Sequence, residues 1–174
     1  MGVDGFLVEV LATVVGGVAL AFLLFLAKEK IFPLPAITGR WFYQMTTHST
    51  TYTPFEGMVL RYVAVLWREG CRIEGTVEKI YEKSATGERE FVGKNRTRGV
   101  ASGYIEKNYL GKDRIFLHIV EEGHGRESTT LHQLSPRRGG LLKGTFTSMV
   151  AEQHGPVQWQ RRHFTNPLAV STDP

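Results

Sequence analysis

Residues Val10 to Ala27 read VLATVVGGVALAFLLFLA, eighteen consecutive positions without a charged side chain, and Lys28, Glu29 and Lys30 follow at once. At about 1.5 Å of rise per residue such a helix nearly crosses the roughly 30 Å hydrocarbon core of a bilayer, and residues 5–9 supply the missing length. A cleaved secretory signal would open on Lys or Arg and end at a small-residue site; this start carries Asp4 and Glu9 instead. A helix buried in a soluble domain would show a polar face every turn, and this one shows none. Residues 1–30 are therefore expected to form a single-pass transmembrane anchor. Lys28, Lys30 and Arg40 lie beyond the apolar run and no cation precedes it, which predicts an external N-terminus and a cytoplasmic C-terminal module. Within the span, Ala12 and Gly16, then Gly17 and Ala21, have the small-xxx-small spacing that lets two helix backbones approach, and they form the expected oligomerisation face.

Removing that anchor leaves about 144 of the 174 residues, one ordinary domain with enough chain to bury a core. The whole chain carries 21 basic and 17 acidic residues, and the module alone 19 against 14. That excess favours an anionic partner, lipid headgroups or a phosphorylated ligand, and is too small to demand a nucleic acid polymer. Cys71 is the only cysteine, so no intramolecular disulfide forms, as a reducing compartment would require.

Pro33 and Pro35 end the helix, because proline cannot continue it and disfavours helical conformation in the residue before. Residues 31–36 thus read as a short, stiff linker. From 37 to 164 no helical period appears; runs rich in Val, Ile, Thr, Tyr, Phe and Trp alternate with Gly- and Pro-bearing turns. Eight strands are expected: 37–50, 58–68, 72–83, 100–109, 114–120, 127–134, 141–150 and 157–164, or nine if 90–93 counts separately. The turns fall at Glu69-Gly70, Gly87, Gly111, Gly123-His124-Gly125, Gly139-Gly140 and His154-Gly155. From Thr165 onward the composition reads as a disordered tail. Short strands joined by short turns, with no crossover helix, predict an all-β antiparallel meander. Four segments, Ile37-Thr-Gly39-Arg-Trp41, Ile73-Glu-Gly75-Thr-Val77, Ala101-Ser-Gly103-Tyr-Ile105 and Leu142-Lys-Gly144-Thr-Phe146, each set a glycine between two apolar residues of one strand face. Such glycines permit the bends of a small closed barrel. The expected fold is an eight-stranded meander barrel, with a two-sheet sandwich as the alternative.

No catalytic constellation is present. Six histidines (His48, His118, His124, His132, His154 and His163) lack metal-ligand spacing, no phosphate loop carries its lysine, and no nucleophile elbow occurs. A non-enzymatic binding module without cofactor or metal is expected. Aromatic and basic residues on the strands supply the stronger signal: Trp41, Tyr43, Arg61, Arg98, Tyr104, Trp159 and Arg161. Rings that stack on bases, and guanidinium forks that take phosphates bidentately, are what a nucleotide needs. The competing reading puts Trp41 and Trp159 in the core with Arg61 and Arg161 lying over them. Lys94, Arg96 and Arg98, with Arg137 and Arg138, fall in loops, where they face solvent or headgroups or else rim a pocket.

With its N-terminal helix, Pro-containing connection, strand-opening Ile37-Thr-Gly-Arg-Trp41 and closing segments Leu142-Lys-Gly-Thr-Phe146 and Val157-Gln-Trp159-Gln-Arg161, the chain resembles the transmembrane β-barrel effectors of bacterial anti-phage signalling. These are the cyclic-oligonucleotide-gated (CBASS) effectors, a minimal barrel counterpart of STING. The resemblance implies a lipocalin-like barrel that binds a cyclic di- or oligonucleotide second messenger, homo-oligomerises through its membrane helix and disrupts the bacterial inner membrane. Members of that family usually carry two membrane helices; this chain has one. The alternative expectation is a membrane-tethered, lipocalin-like carrier of a small apolar ligand, or a partner-docking module.

Overall fold

A computed structural model describes residues 3–31, 33–123 and 126–164. Its first unit is a helix, α1 (Val3–Ile31). Within it Gly5–Leu26, 22 residues, is long and apolar enough to cross a membrane, and none of that stretch is buried. No Cβ added at Gly16 or Gly17 would meet anything within 4 Å, so both glycines leave their side of the helix bare.

The second unit, residues 36–174, contains β1 (Gly39–Thr46), β2 (Val59–Glu69), β3 (Arg72–Ser84), β4 (Gly87–Glu90), β5 (Arg98–Glu106), β6 (Arg114–Gly123), β7 (Arg126–Arg137), β8 (Leu141–Ser148) and β9 (Gln153–Gln160). Along the ring each strand pairs with the next in sequence, β3 passing over the short β4 to reach β5. One long-range pairing completes the circuit. β1 also pairs with β9, setting Tyr43 opposite Trp159, and this closes an eight-stranded antiparallel barrel. The expected meander is present. The ninth strand, β4, stands outside the ring: it pairs only with the end of β3, Tyr81 to Ser84, while β5 takes Arg72 to Glu78 of the same strand.

Closure depends on the in-strand glycines. A Cβ at Gly103 would fall on the carbonyl oxygen of Phe116, and one at Gly144 on that of Gln133, because the neighbouring backbone presses into the bend. Both positions belong to the glycine pattern legible in the sequence. His154-Gly155, expected as a turn, instead lies inside β9. The reversal comes earlier, at residues 149–152, where Ala151 and Glu152 adopt left-handed φ of 54° and 48°. The disordered tail expected from Thr165, and His124, fall outside the described residues.

Alternation sends one set of side chains inward on each strand. β1 contributes Trp41, Tyr43 and Met45, β2 Tyr62, Ala64 and Leu66, β6 Ile115, Leu117 and Ile119, and β9 Val157 and Trp159, all buried. A barrel of eight strands has about enough interior for side chains alone, and here the large residues occupy it.

Candidate functional site

Three rings stack through the lumen. Tyr43 lies 4.6 Å from Tyr62 at 7° and 4.1 Å from Trp159 at 16°, near-parallel contacts worth about 1 kcal/mol each beyond burial. His132 meets Tyr43 edge-on at 5.4 Å, and the Trp159 indole Nε1 donates to His132 Nδ1 at 3.2 Å. With Nδ1 accepting, the proton resides on Nε2, which is buried without a partner among the described residues. Burial holds the His132 pKa down to about 3, so the ring is neutral. Further along the lumen Tyr62 hydrogen-bonds Glu121, whose carboxyl pKa is raised, chiefly by burial, against the pull of Lys79. Burial, then Glu121, raises both tyrosine hydroxyls well above their usual range.

Both ends of this lumen are shut. At the end where the chain enters, Trp41 Nε1 donates to Ile37 O at 2.6 Å, and the Arg161 guanidinium covers the Trp41 ring at 3.8 Å. Its Nη1 donates to Arg40 O at 3.0 Å, and its Nη2 to Ala36 O at 2.8 Å and Thr38 O at 3.1 Å. At the far end Met58 is buried, and Thr47 Oγ1 donates to Gln153 Oε1 at 3.0 Å.

The seven residues singled out from the sequence therefore occupy separate places. Trp41, Tyr43 and Trp159 are lumen core, and Arg161 seals the entry end. Arg61 is on the outer face opposite Gln44, its Nε donating to Gln44 Oε1 at 2.8 Å and its guanidinium 4.6 Å from the Tyr81 ring. Tyr104 is exposed and stacks on Phe116 at 5.1 Å. Arg98 stands at the far rim. His118 and His132 do not meet either: the register sets His132 opposite Leu117 and His118 opposite Leu131, which sends them to opposite faces of the sheet.

Of these seven only Arg98 lines a groove of about 830 Å³ bordered by Arg89, Phe91, Lys94, Arg96, Arg98 and Glu122. Local backbone bonding builds it. Phe91 N donates to Ile80 O at 3.0 Å and Lys79 N to Thr97 O at 2.9 Å, which folds the 91–97 segment against β3. A 3-10 turn, Gly93–Asn95, begins at Gly93 with φ of 59°. Glu78 then gathers the arginines: Arg96 Nη1 reaches its Oε2 at 3.0 Å and Arg98 Nε its Oε1 at 3.3 Å. Arg96 Nε also donates to Phe91 O at 3.2 Å, tying a guanidinium to the backbone of the groove's aromatic residue. The result is an open groove lined by four cations, the carboxylates of Glu90 and Glu122, and one ring, a composition suited to a flat anion. The basic run Gly93-Lys-Asn-Arg-Thr-Arg-Gly99 signalled part of it in the sequence. Arg89 and Phe91 carried no such signal, because β4 places them there by pairing back on β3.

No protein-family profile and no curated protein matches this chain. Among solved structures, one titled "De novo design of a fluorescence-activating beta barrel" aligns with a TM-score of 0.49 and 14% identity, covering 72% of this chain and 94% of its own.

Proposed function

We propose that this chain is a membrane-anchored effector of the anti-phage type: α1 spans the bacterial inner membrane, the barrel faces the cytoplasm, and a cyclic di- or oligonucleotide is taken in the rim groove. The response is self-association through the Ala12, Gly16, Gly17 and Ala21 face and membrane disruption. The carrying observation is the groove itself, which Arg89, Lys94, Arg96 and Arg98 line together with Phe91. Guanidinium forks bind phosphate bidentately and a ring stacks on a base. The ligand drives assembly only if it binds the assembled state more tightly, by roughly 5.5 kcal/mol for a near-complete shift.

A lumen-bound apolar guest fits poorly, since the Tyr62, Tyr43 and Trp159 stack fills the interior. Partner docking keeps one observation in its favour, an outer cleft of about 500 Å³ bordered by Tyr104, Phe116 and Leu131.

Calorimetry of the full chain in detergent against cyclic di- and trinucleotides tests the proposal. Binding is expected, with loss of about tenfold or more in the Arg96→Ala, Arg98→Ala double variant. Silence across the panel sinks the sensor reading, and binding unchanged in the double variant moves the site out of the groove.

A further inference from the structure

The two ends of the barrel differ in charge. Segments 36–40, 68–72, 106–114, 137–141 and 160–162 meet at the end where the chain enters, and together they hold ten Lys and Arg against three Asp and Glu. The described residues of the corresponding segments at the other end, 46–59, 84–98, 123, 126 and 148–153, hold five against four. Only part of the excess is consumed internally. Arg161 is spent on backbone carbonyls, Arg68 Nη1 donates to Gly70 O at 2.6 Å, Arg72 bridges Glu74 at 2.7 Å and Lys107 bridges Asp113 at 3.0 Å. Arg137, Arg138, Lys112 and Arg114 are exposed.

One loop at that end is ordered around an apolar tip. Asp113 Oδ1 accepts from Asn108 N at 3.0 Å, and Asn108 Oδ1 accepts from Leu110 N at 3.1 Å. These bonds hold Leu110 fully exposed, beside a half-exposed Tyr109. Trp67, 47% exposed on the outer face near the end of β2, adds an interfacial residue type at the same end. Exposed single apolar residues are ordinary on a protein surface. A tip braced by side-chain bonds, beside a surplus of cations, is the pattern of a surface that rests on anionic headgroups.

We infer that the entry end of the barrel docks on an anionic bilayer surface, with Leu110 and Tyr109 dipping into the interface and Lys112, Arg137 and Arg138 on the headgroups. This rests on reading α1 as a membrane anchor. Chain continuity supports it, because four residues, 32–35, separate α1 from the first residue of the barrel unit. Docking leaves the rim groove, at the opposite end, open to the cytosol.

Cys71, the only cysteine and exposed, lies in the β2–β3 turn at the docking end and provides the probe. The full chain is reconstituted into phosphatidylcholine vesicles with or without phosphatidylglycerol and labelled at Cys71 with a small environment-sensitive dye. A second form, Cys71→Ser with Thr86→Cys, places the dye at the far end. Headgroup spin-labelled lipid is expected to quench the dye at 71 severalfold more than at 86. That difference should grow with phosphatidylglycerol and fall in high salt or in Arg137→Glu, Arg138→Glu. Flotation of the same samples reads the anchor separately. A chain that floats with neutral vesicles but is quenched equally at both positions, or without dependence on anionic lipid, overturns the docking surface and leaves the anchor standing. A chain that fails to float overturns both.

Discussion

The Arg161 guanidinium carbon sits 3.8 Å from the centre of the Trp41 ring, joining the segment after the last strand to the first strand of the barrel. Three backbone carbonyls of residues 36–40 complete its bonding. Partial burial lowers the Arg161 pKa, but a guanidinium keeps its charge in proteins.

Arg161→Ala is accordingly expected to destabilise the barrel by about 2 kcal/mol, combining a lost cation–π contact with charge-assisted bonds. Arg161→Lys should recover only a part, since an ammonium has no planar fork to span carbonyls at Ala36, Thr38 and Arg40. Guanidinium denaturation in detergent, followed by tryptophan fluorescence, measures both; equal midpoints in all three proteins would remove the latch from the account.

His132 gives the barrel an acid limit. Its folded pKa of about 3 lies below the ordinary 6.5, so its stabilising contribution is whole above about pH 6.5 and declines as pH falls toward 3. The integrated loss approaches roughly 5 kcal/mol. In His132→Gln, which keeps an acceptor for the Trp159 indole, the melting temperature should fall less steeply across that window. Parallel curves would mean that other groups set the acid limit.

Glu121 acts in the opposite direction. Its folded pKa is raised by burial, so its ionisation opposes folding, and the cost grows as pH rises from the ordinary carboxylate range through the folded value. Glu121→Gln preserves an acceptor for Tyr62 and is expected to be more stable than the parent at pH 8, with the advantage shrinking toward pH 4. Thermal unfolding at the two pH values decides it.

Gly144→Ala should cost at least about 2 kcal/mol, because the added methyl would occupy the position of the Gln133 carbonyl oxygen. Gly139→Ala, in a loop where a Cβ meets nothing within 4 Å, suffers only its left-handed φ of 78°, about 1 kcal/mol. A ranking opposite to this in denaturant midpoints would show that the sheet relaxes at Gly144.

Gly17→Leu changes a helix position with open surroundings. It should weaken chemically crosslinked oligomers in membranes while leaving the barrel's melting temperature within about 1 °C of the parent, since α1 and the barrel are separate units. Crosslinking that persists at parental strength would overturn the proposal of self-association through this helix face.

By itself, the sequence determined what depends on neighbours along the chain. The uncharged run from Val10 to Ala27 lies in a helix long and apolar enough to cross a membrane, and Pro33 and Pro35 follow its end. Alternating strands with short turns leave a meander as the simplest path, and Gly75, Gly103 and Gly144 mark where a sheet bends. Even the rim groove was partly legible, as the basic run Lys94, Arg96 and Arg98. Only the closed tertiary structure decided which face of each strand became lumen. The β1–β9 pairing put Tyr43 against Trp159, and the β1–β2 register put Arg61 opposite Gln44 on the outside. Side-chain direction has a period of two, so one register step exchanges inside for outside. The partners that fix register lie more than a hundred residues apart for β1 and β9, where no local pattern reaches.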